Sequence, residues 1–446
     1  MNNESMREYE QGEVIGEVRL TPIQSQFLKW NLSTPNHFNQ SVTLELISGF
    51  EEEALREVLK ALVIHHDILR AVLKNGKQEI LKIDESKLFM LEKYDYKDLN
   101  ENILEELMYK KSTEIESSID LSNGPLMKAA LYKTSKCDYL MICSHHLVID
   151  GASWRILIED LINGYSQYIA KKKIILPKKT ASYQEWSEAI YEYSQSEEIK
   201  DKVNYWTRIS EEIRMGKLGE IENDAKRTED GYGGITITLN EEKTNKLLDE
   251  VVKIYKAEII EILIAVLGIS VRRWKGKEKV ALHMEGHGRE KINKAININR
   301  TVGWFTSIYP VMIEIPEEVE DVIVKTKEAL RNIPNNGMEY SVIQHSEKYK
   351  IPEVELNLSF IFLGQWNNEI REKNQIILSG ISGGRDIAAD NKLINSIPIV
   401  GIIMDNKLVI TILFDRSKYS EESIRKFSMD YENALNELTE EEFLKK

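Results

Sequence analysis

Hydrophobic positions along the chain change repeatedly between helical and strand-like spacing. The apolar residues of segment 55–63 recur at three- and four-residue intervals and predict a helix, with a capping-box pattern before it in Ser48 and Glu51. Segment 139–143 is instead a continuous apolar run, which is typical of a strand buried on both faces. This alternation of helices and strands predicts a mixed α/β chain.

The later part of the chain follows the same alternation. Segment 154–169 has one broad apolar helical face. Further strands are predicted at 234–239, 280–285, 397–404 and 408–414, two consecutive helices within 244–274, and a final helix at 420–435. Segment 171–180 is basic, contains Pro177 and has no periodicity, so it is interpreted as a linker between two halves.

Composition narrows the class of protein. Of the 446 residues, 42% are hydrophobic and 30% charged, which excludes a disordered chain. At roughly 100–200 residues per domain, this length predicts two or three cores. The net charge of −14 argues against nucleic acid as a partner, and two cysteines cannot form a disulfide scaffold.

No segment has the pattern of a membrane or targeting element. The N-terminus lacks a basic start and an apolar run, so it does not resemble a signal peptide. The most apolar stretch, 259–271, contains Glu261 and is shorter than the roughly 20 residues that a span requires. We therefore expect a soluble, cytoplasmic protein without a membrane partner.

The first segment that could carry catalytic residues is 144–151, with the sequence Ser-His-His-Leu-Val-Ile-Asp-Gly. A predicted buried strand ends there in His145 and His146. Histidine is the side chain best suited to proton transfer near neutral pH. Asp150 and Gly151 then open a helix, where the aspartate can cap the helix, orient an imidazole or pair with an arginine. A structural interpretation, two hydrogen-bonded histidines and an ordinary cap, stays open at this point.

The second such segment is 283–290, at the end of another predicted strand. If the strand continues, His283, Glu285 and His287 lie on one face, and partial burial would raise the pKa of Glu285 toward working pH. A solvated loop and a zinc or iron site are alternatives. The glycines at 286 and 288 indicate that the strand ends before His287, which disfavours the metal.

Taken together, these segments resemble the epimerization domains of nonribosomal peptide synthetases, within the condensation-domain superfamily. The resemblance runs in order through segments 20–24, 37–41, 65–70 and 145–151, the last being the superfamily's HHxxxDG core. Segments 150–157, 285–290 (EGHGRE) and 302–310 match motifs that separate epimerization from condensation. One departure is that Ile361 and Phe362 stand where the family usually has Asn and Tyr.

The resemblance implies an α/β fold of two chloramphenicol-acetyltransferase-like lobes in a V, with a channel between them. The predicted lobes are residues 1–175, which carry HHxxxDG, and 176–446, which carry EGHGRE. It also implies an isomerase that epimerizes the α-carbon (L to D) of an aminoacyl or peptidyl thioester. His146 and Glu285 are the expected proton carriers. The supporting residues are His145, Asp150, Gly151 and Arg70, and the channel or substrate candidates are Trp154, His287, Arg289, Trp304, Ser307 and Phe362.

Three further expectations concern the site. We expect an ion pair between Asp150 and Arg70, and we expect the helix N-terminus after Gly151 to help stabilise the enolate oxygen. We expect no metal and no cofactor bound by this chain. The substrate is expected to arrive on the 4'-phosphopantetheine of a partner peptidyl carrier protein, because Asp386 stands where a carrier serine would be in 383–386.

Neighbouring synthetase modules are the other expected partners of this chain, which we expect to be a monomer. Two alternative functions remain at this stage. One is a condensation domain, in which His146 would assist an incoming amine. The other is a catalytically silent docking module, since a fold alone does not establish chemistry.

Overall fold

The computed structural model describes residues 8–217, 219–224, 231–292, 296–366, 375–381, 383–392 and 394–440. Its strands are β1 (Gly16–Val18), β2 (Asn39–Leu46), β3 (Ala71–Lys74), β4 (Lys77–Ile80), β5 (Met90–Asp95), β6 (Met127–Lys133), β7 (Asp138–His145), β8 (Tyr232–Leu239), β9 (Lys279–Gly286), β10 (Ser307–Glu314), β11 (Leu358–Trp366), β12 (Ile377–Leu378), β13 (Ile397–Met404) and β14 (Lys407–Asp415).

The helices in these ranges are α1 (Pro22–Lys29), α2 (Glu52–His65), α3 (Glu101–Ser117), α4 (Gly151–Ile169), α5 (Tyr183–Gln195), α6 (Lys200–Gly216), α7 (Glu241–Lys246), α8 (Val252–Tyr255), α9 (Ile259–Lys275), α10 (Val319–Arg331), α11 (Met338–Gln344) and α12 (Glu421–Leu438). A π-helical turn, Leu247–Val251, joins α7 to α8. Within the described ranges, no helix has both the length and the apolar character needed to span a membrane.

Two compact units divide the chain. Unit 1 contains Met1–Tyr193, Lys291–Thr306 and Asn368–Asn391, and unit 2 contains Ser194–Glu290, Ser307–Asn367 and Lys392–Lys446. The predicted boundary after residue 175 therefore differs from the structure, because two later segments return to unit 1. The cause is backbone pairing between residues distant in sequence: β12 pairs with β2, and the Ala181 N–H donates to the Asn297 carbonyl at 2.8 Å.

Unit 1 contains a five-stranded sheet in the order β12-β2-β7-β6-β5 and a small sheet in the order β1-β4-β3. β7 is the predicted fully buried strand, and it pairs antiparallel with both β2 and β6. Helices α2 and α4 pack against each other. β7 ends at His145. The two histidines therefore lie at the C-terminal end of this interior strand, just before α4 begins.

The predicted interlobe linker, 171–180, is an irregular segment inside unit 1. Lys179 holds it there, because its Nζ donates to Asp67 Oδ2 at 2.8 Å and to the Gly12 carbonyl at 2.7 Å. The absence of periodicity correctly predicted irregular backbone. It could not reveal that polar contacts tie this backbone to the unit that precedes it.

Unit 2 contains a six-stranded sheet in the order β10-β9-β11-β13-β14-β8. β11 runs parallel to β9 and β13, and the other neighbouring strands are antiparallel. Along β9, Leu282 and Met284 are buried, whereas the alternating His283 and Glu285 are half-buried. The period-2 alternation of a strand therefore places His283 and Glu285 on the face of the sheet opposite the core side chains.

The predicted capping box before the first long helix is wrong. Helix α2 begins at Glu52, with Glu51 at the N-cap position and no side-chain cap hydrogen bond. Gly49, at φ +83°, turns the chain after β2, and the Phe50 N–H donates to the buried Asp138 Oδ2. Ser48 therefore lies in this turn, outside the helix that it was expected to cap.

Candidate active site

The His146 ring is held by hydrogen bonds to both of its nitrogens. Nδ1 lies 2.8 Å from the Ile149 carbonyl, so this nitrogen carries the proton and donates. Nε2 lies 2.9 Å from the amide nitrogen of Gln40, whose oxygen accepts from Trp154 Nε1 at 3.1 Å. The Trp154 contact fixes the orientation of the Gln40 amide, so His146 Nε2 is the unprotonated nitrogen and has the lone pair of a base.

Aromatic side chains surround this imidazole. The Phe38 ring stacks on it with centroids 5.5 Å apart, and the Trp304 ring lies 4.3 Å away. Burial lowers the pKa of His146, because a charged imidazolium loses its hydration in this apolar environment. His146 is therefore held neutral with its basic nitrogen toward Gln40.

Trp304 is buried, and its indole N–H meets no acceptor within the described part of the chain. Its backbone is fixed from two sides. The Tyr183 hydroxyl donates to the Trp304 carbonyl at 2.5 Å, and the neighbouring Gly303 lies so close to the Tyr183 ring that a Cβ there would be 2.2 Å from it. The predicted substrate candidate Trp304 is thus a rigid wall of the His146 site.

Asp150 connects helix α4 to the segment that carries Trp304. Its Oδ1 accepts from the Ser153 N–H at 2.7 Å, which makes it the N-cap of α4. Its Oδ2 accepts from the Phe305 N–H at 3.1 Å, while Ser153 Oγ donates to the Gly303 carbonyl at 2.9 Å. Asp150 therefore caps the helix, which is one of the three roles that the sequence left open, and positions the wall beside His146.

The predicted ion pair between Asp150 and Arg70 is not formed. The five N–H groups of the buried Arg70 donate to Asp67 Oδ1 and to four backbone carbonyls, those of Val14, Val63, Ile64 and Leu81. A guanidinium has only five such donors, so none is left for Asp150. Arg70 instead fastens the end of α2 to the N-terminal segment.

His145 and Gly151, the other supporting candidates, have different roles. His145 is fully buried, with Nε2 donating to the Pro35 carbonyl at 2.8 Å and Nδ1 accepting from the Leu147 N–H at 3.0 Å. Burial lowers its pKa to about 3, so it is a neutral structural residue. Gly151 is exposed at the first position of α4, and a Cβ there would meet nothing within 4 Å.

Glu285 is a half-buried carboxylic acid near the end of β9. Among the residues that the structure describes, none donates a hydrogen bond to its carboxyl group. Burial alone raises the pKa of Glu285 to about 7, because no nearby charge or donor stabilises the carboxylate. Both its protonated and its ionised forms are therefore populated near neutral pH.

β9 ends at Gly286, as the glycine spacing predicts. A Cβ at this position would lie 2.8 Å from Ser307 Oγ and 3.2 Å from the Asn336 carbonyl, so the backbone approach requires glycine. Ser307, a predicted channel candidate, is buried, and its hydroxyl has no hydrogen-bond partner within the described ranges. Ser307 pairs with Gly286 across the two strands, so its hydroxyl lies on the core face of the sheet, opposite the face that carries Glu285.

The remaining motif residues turn away from the strand. The exposed His287 accepts from the Arg289 N–H at Nδ1, and its Nε2 lies 3.4 Å from the buried Glu290 carboxylate. Asn336 donates to the same carboxylate at 3.4 Å. The alternation His283-Glu285-His287 is therefore broken, and the described residues contain no group of three or more His, Cys, Asp or Glu side chains placed to hold a metal ion.

The two departures from the family motif lie on β11. The Phe362 ring covers Gly401, which belongs to the buried face of β13, so Phe362 is not on the Glu285 face of the sheet. Ser359 pairs with His283 in the parallel register, so alternation places Ile361 on that face. Of the two substitutions, the one at Ile361 alters the surface around Glu285.

Two contributors were missed by sequence reasoning. Gln40 falls inside the quoted segment 37–41 but was given no role, and Asn395, which lies 2.9 Å from His283 Nδ1, was not noticed. Their partners are 106 and 112 residues away in sequence, which leaves no local signal. The structure thus groups His146 with Gln40, Trp154 and Trp304 in unit 1, and places Glu285 with His283 on one face of β9, next to the 286–290 turn, in unit 2.

Comparison with known proteins identifies related sequences over nearly the whole chain. The family model for the condensation domain matches residues 14–442. The chain is 34% identical to surfactin synthase subunit 2 of Bacillus subtilis (strain 168), over 98% of its own length and 12% of that protein. It is 33% identical to tyrocidine synthase 1 of Brevibacillus parabrevis, over 96% of its length and 41% of that protein. The chain thus spans less than half of the length of each relative.

Solved structures of similar fold include the epimerization domain from the third module of tyrocidine synthetase B. That structure superposes with a TM-score of 0.90 at 33% identity, covering 98% of this chain and 99% of its own. The first condensation domain of the calcium-dependent antibiotic synthetase gives a TM-score of 0.69 at 15% identity, over 95% of this chain and 96% of its own, and so shares the fold alone.

Proposed function

Because the chain belongs to the condensation domain family, we propose that it epimerizes the α-carbon of an aminoacyl or peptidyl thioester in nonribosomal peptide synthesis. In this proposal the substrate is tethered to the 4'-phosphopantetheine of a carrier protein. The similarity at 33% identity to a solved epimerization domain supports it. So do the HHxxxDG and EGHGRE sequences, which this chain has in full.

The observation that carries the proposal is the Glu285 carboxyl. Its pKa is raised to about 7, and no described residue hydrogen-bonds to it, so it can both accept and release a proton at neutral pH. A carboxyl tuned in this way is expected in an enzyme that moves a proton at carbon. An amide-forming site has no evident use for it.

The proposed reaction needs one base and one acid. With an L substrate, His146 Nε2 takes the α-proton, the C–H bond breaks, and its electron pair moves into the thioester to give an enolate. The protonated Glu285 then delivers a proton to the opposite face of the α-carbon, which gives the D product. His146 leaves this step protonated and Glu285 ionised, and exchange with water restores both.

His146 is suited to act as the base in this direction. Its proton is on Nδ1, bonded to the Ile149 carbonyl, which leaves the Nε2 lone pair directed at the Gln40 amide. The substrate would have to displace that amide to reach the base. The reverse reaction uses the same two groups with the roles exchanged.

The partners belong to the same proposal. We propose that the chain binds no cofactor of its own, and that the carrier protein presents the phosphopantetheine arm with its thioester. Neighbouring synthetase modules are further proposed partners, since each compared synthetase is more than twice as long as this chain. His146 and Glu285 belong to different units, and the proposal requires both to reach one α-carbon.

The test is a carrier protein loaded with an L-aminoacyl group and incubated with the chain in deuterated water. We expect the released amino acid to contain the D form, with deuterium at the α-carbon. We expect His146→Ala and Glu285→Ala each to abolish the exchange. Full exchange in either variant would remove that residue from the mechanism, and no exchange with the unmodified chain on any loaded carrier would overturn the proposal.

The second candidate is a docking module without activity, favoured by one observation. Ile361 lies on the Glu285 face of the sheet and replaces an amide that the family usually has there. A hydrogen bond from this position to the substrate is therefore unavailable. Carrier binding without exchange would support this candidate, and amide formation with an added acceptor amine would support condensation.

A further inference from the structure

His283 has a defined tautomer because of Asn395. The Asn395 amide nitrogen donates to the Leu356 carbonyl at 2.7 Å, which fixes which end of the amide is nitrogen. The same nitrogen lies 2.9 Å from His283 Nδ1, so it donates its second hydrogen there. His283 Nδ1 is therefore an acceptor, and the ring proton is on Nε2.

The Nε2–H of His283 is a donor without a described acceptor. The side chain is half-buried, and its single hydrogen bond within the described ranges is the one that Asn395 donates to Nδ1. Burial lowers the pKa of His283 to about 4, so the ring stays neutral and Nε2 keeps one proton. The Asn395 side chain that orients it is itself buried.

This donor lies beside Glu285. His283 and Glu285 are separated by one residue on β9 and share a face of the sheet, which places their Cα atoms about 6.6 Å apart. That spacing matches an arrangement in which one side chain exchanges a proton at the α-carbon and the other reaches the thioester oxygen. The Ile361 side chain, on the same face, offers no hydrogen bond in this region.

We propose that His283 Nε2–H donates a hydrogen bond to the thioester oxygen and stabilises the enolate, with Asn395 as the residue that positions it. This inference rests on the proposed function. No bond to His283 forms or breaks in the step; negative charge grows on the oxygen as the α-proton leaves, and the neutral imidazole stabilises it there.

The alternative donor predicted from the sequence is the N-terminus of α4. Asp150 places a carboxylate at this N-terminus, and it already accepts from the Ser153 and Phe305 N–H groups. A second anion there would be repelled by the first. At the His283 site the neighbouring acidic side chain, Glu285, is protonated when the α-proton of an L substrate leaves, so no carboxylate opposes the developing negative charge there.

The first test compares turnover of His283→Leu with that of the unmodified chain on a loaded carrier. We expect kcat for α-proton exchange to fall about 10²-fold or more, with KM nearly unchanged, because the hydrogen bond strengthens only as charge develops. The matched control is His345→Leu, a partly buried histidine on a different element of the same unit, which should keep the original kcat. Unchanged kcat in His283→Leu would overturn the inference.

The second test reads the tautomer directly. In ¹⁵N-histidine-labelled unmodified chain, we expect the NMR signals of His283 to show a protonated Nε2 and a bare Nδ1. Asn395→Asp should reverse this assignment, because a carboxylate facing Nδ1 accepts instead of donating, and kcat should fall as far as in His283→Leu. Thermal unfolding of each variant checks that the fold is retained.

The outcomes separate this inference from the proposed function. If the unmodified chain shows no exchange, the proposed function fails, while the NMR experiment still reports the tautomer. If the chain exchanges the α-proton and His283→Leu does so equally fast, the inference alone fails. A protonated Nδ1 in the unmodified chain would also overturn it, whatever the activity.

Discussion

The sites around His146 and Glu285 hold a proton carrier in opposite ways. Both ring nitrogens of His146 are hydrogen-bonded, and two aromatic rings pack against the imidazole. The Glu285 carboxyl has no such bond from a described residue and is positioned by its place on β9. Burial shifts the pKa of each group toward its neutral form, but hydrogen bonds hold only His146 in one orientation.

This difference shows that burial can shift the pKa of a side chain without a network of hydrogen bonds around it. A neutral imidazole has two distinguishable nitrogens, so a base on one of them requires a partner for the other. A carboxyl group has two equivalent oxygens and needs no such choice. Loss of His146 should therefore break stabilising contacts, whereas loss of the Glu285 charge should relieve a cost of burial.

The largest effect is expected from Glu285→Gln. We expect α-proton exchange to fall by at least about 10³-fold, because the amide cannot carry the proton. Burial raises the pKa of Glu285 in the folded chain from its ordinary 4.5 to about 7, so its contribution to stability is complete below about 4.5 and is lost as pH rises through 7.

At pH 8 the free energy of unfolding of the variant should therefore exceed that of the unmodified chain by about 1–2 kcal/mol, roughly half of what this pKa shift would give for a fully buried group, because Glu285 is only half-buried. At pH 4 the variant should show no such gain. His146→Ala, in contrast, should be less stable at both pH values. An equal loss of stability in Glu285→Gln and His146→Ala would contradict the proposed difference between the two sites.

The pH profile of exchange should be bell-shaped. The active form has one proton on the pair: a neutral His146 with a protonated Glu285, or the reverse. Exchange should fall about tenfold per pH unit above about 7, as Glu285 loses its proton, and again at low pH, below the pKa of His146, which burial lowers from its ordinary value. Rates that stay constant from pH 7 to 9 would contradict the assigned role of Glu285.

Gln40→Leu tests the network around His146. We expect a loss of about 1–3 kcal/mol in the free energy of unfolding, since the buried Trp154 N–H would lose its acceptor. Exchange should fall only about tenfold, because the bond from His146 Nδ1 to the Ile149 carbonyl still favours the correct tautomer. Chemical denaturation and the deuterium assay measure the two effects. A loss of exchange as large as that in His146→Ala would show that Gln40 takes part in the reaction itself.

The smallest effect is expected from Ile361→Asn, which restores the residue usual in the family. If His283 already supplies a donor on this face, exchange should change by less than about threefold. Phe362→Tyr is the matched control on the other face and should have no effect. A tenfold or greater gain in Ile361→Asn would show that the missing amide limits the reaction.

Elements with clear periodicity could be predicted from sequence, and contacts between distant residues could not. The strand predicted at 280–285 is β9, and the glycines after it correctly indicated its end. The HHxxxDG and EGHGRE motifs pointed to His146 and Glu285. The predicted ion pair between Asp150 and Arg70 was wrong because Arg70 uses its N–H groups on other partners. Four of these partners are backbone carbonyls, which any residue type could supply, so the sequence does not identify them.

The division into units shows the same limit. The return of 291–306 and 368–391 to unit 1 depends on strand pairing and backbone hydrogen bonds across more than 100 residues, which leave no mark on local composition. The expected channel between the two lobes stays a prediction.

The most direct measurement follows the configuration and the deuterium content of one carrier-bound stereocentre over time, with the unmodified chain and with Glu285→Gln. We expect each α-carbon inverted by the unmodified chain to contain one solvent deuterium, and we expect the variant to invert none. Inversion by Glu285→Gln at the original rate, or inversion without deuterium, would contradict it.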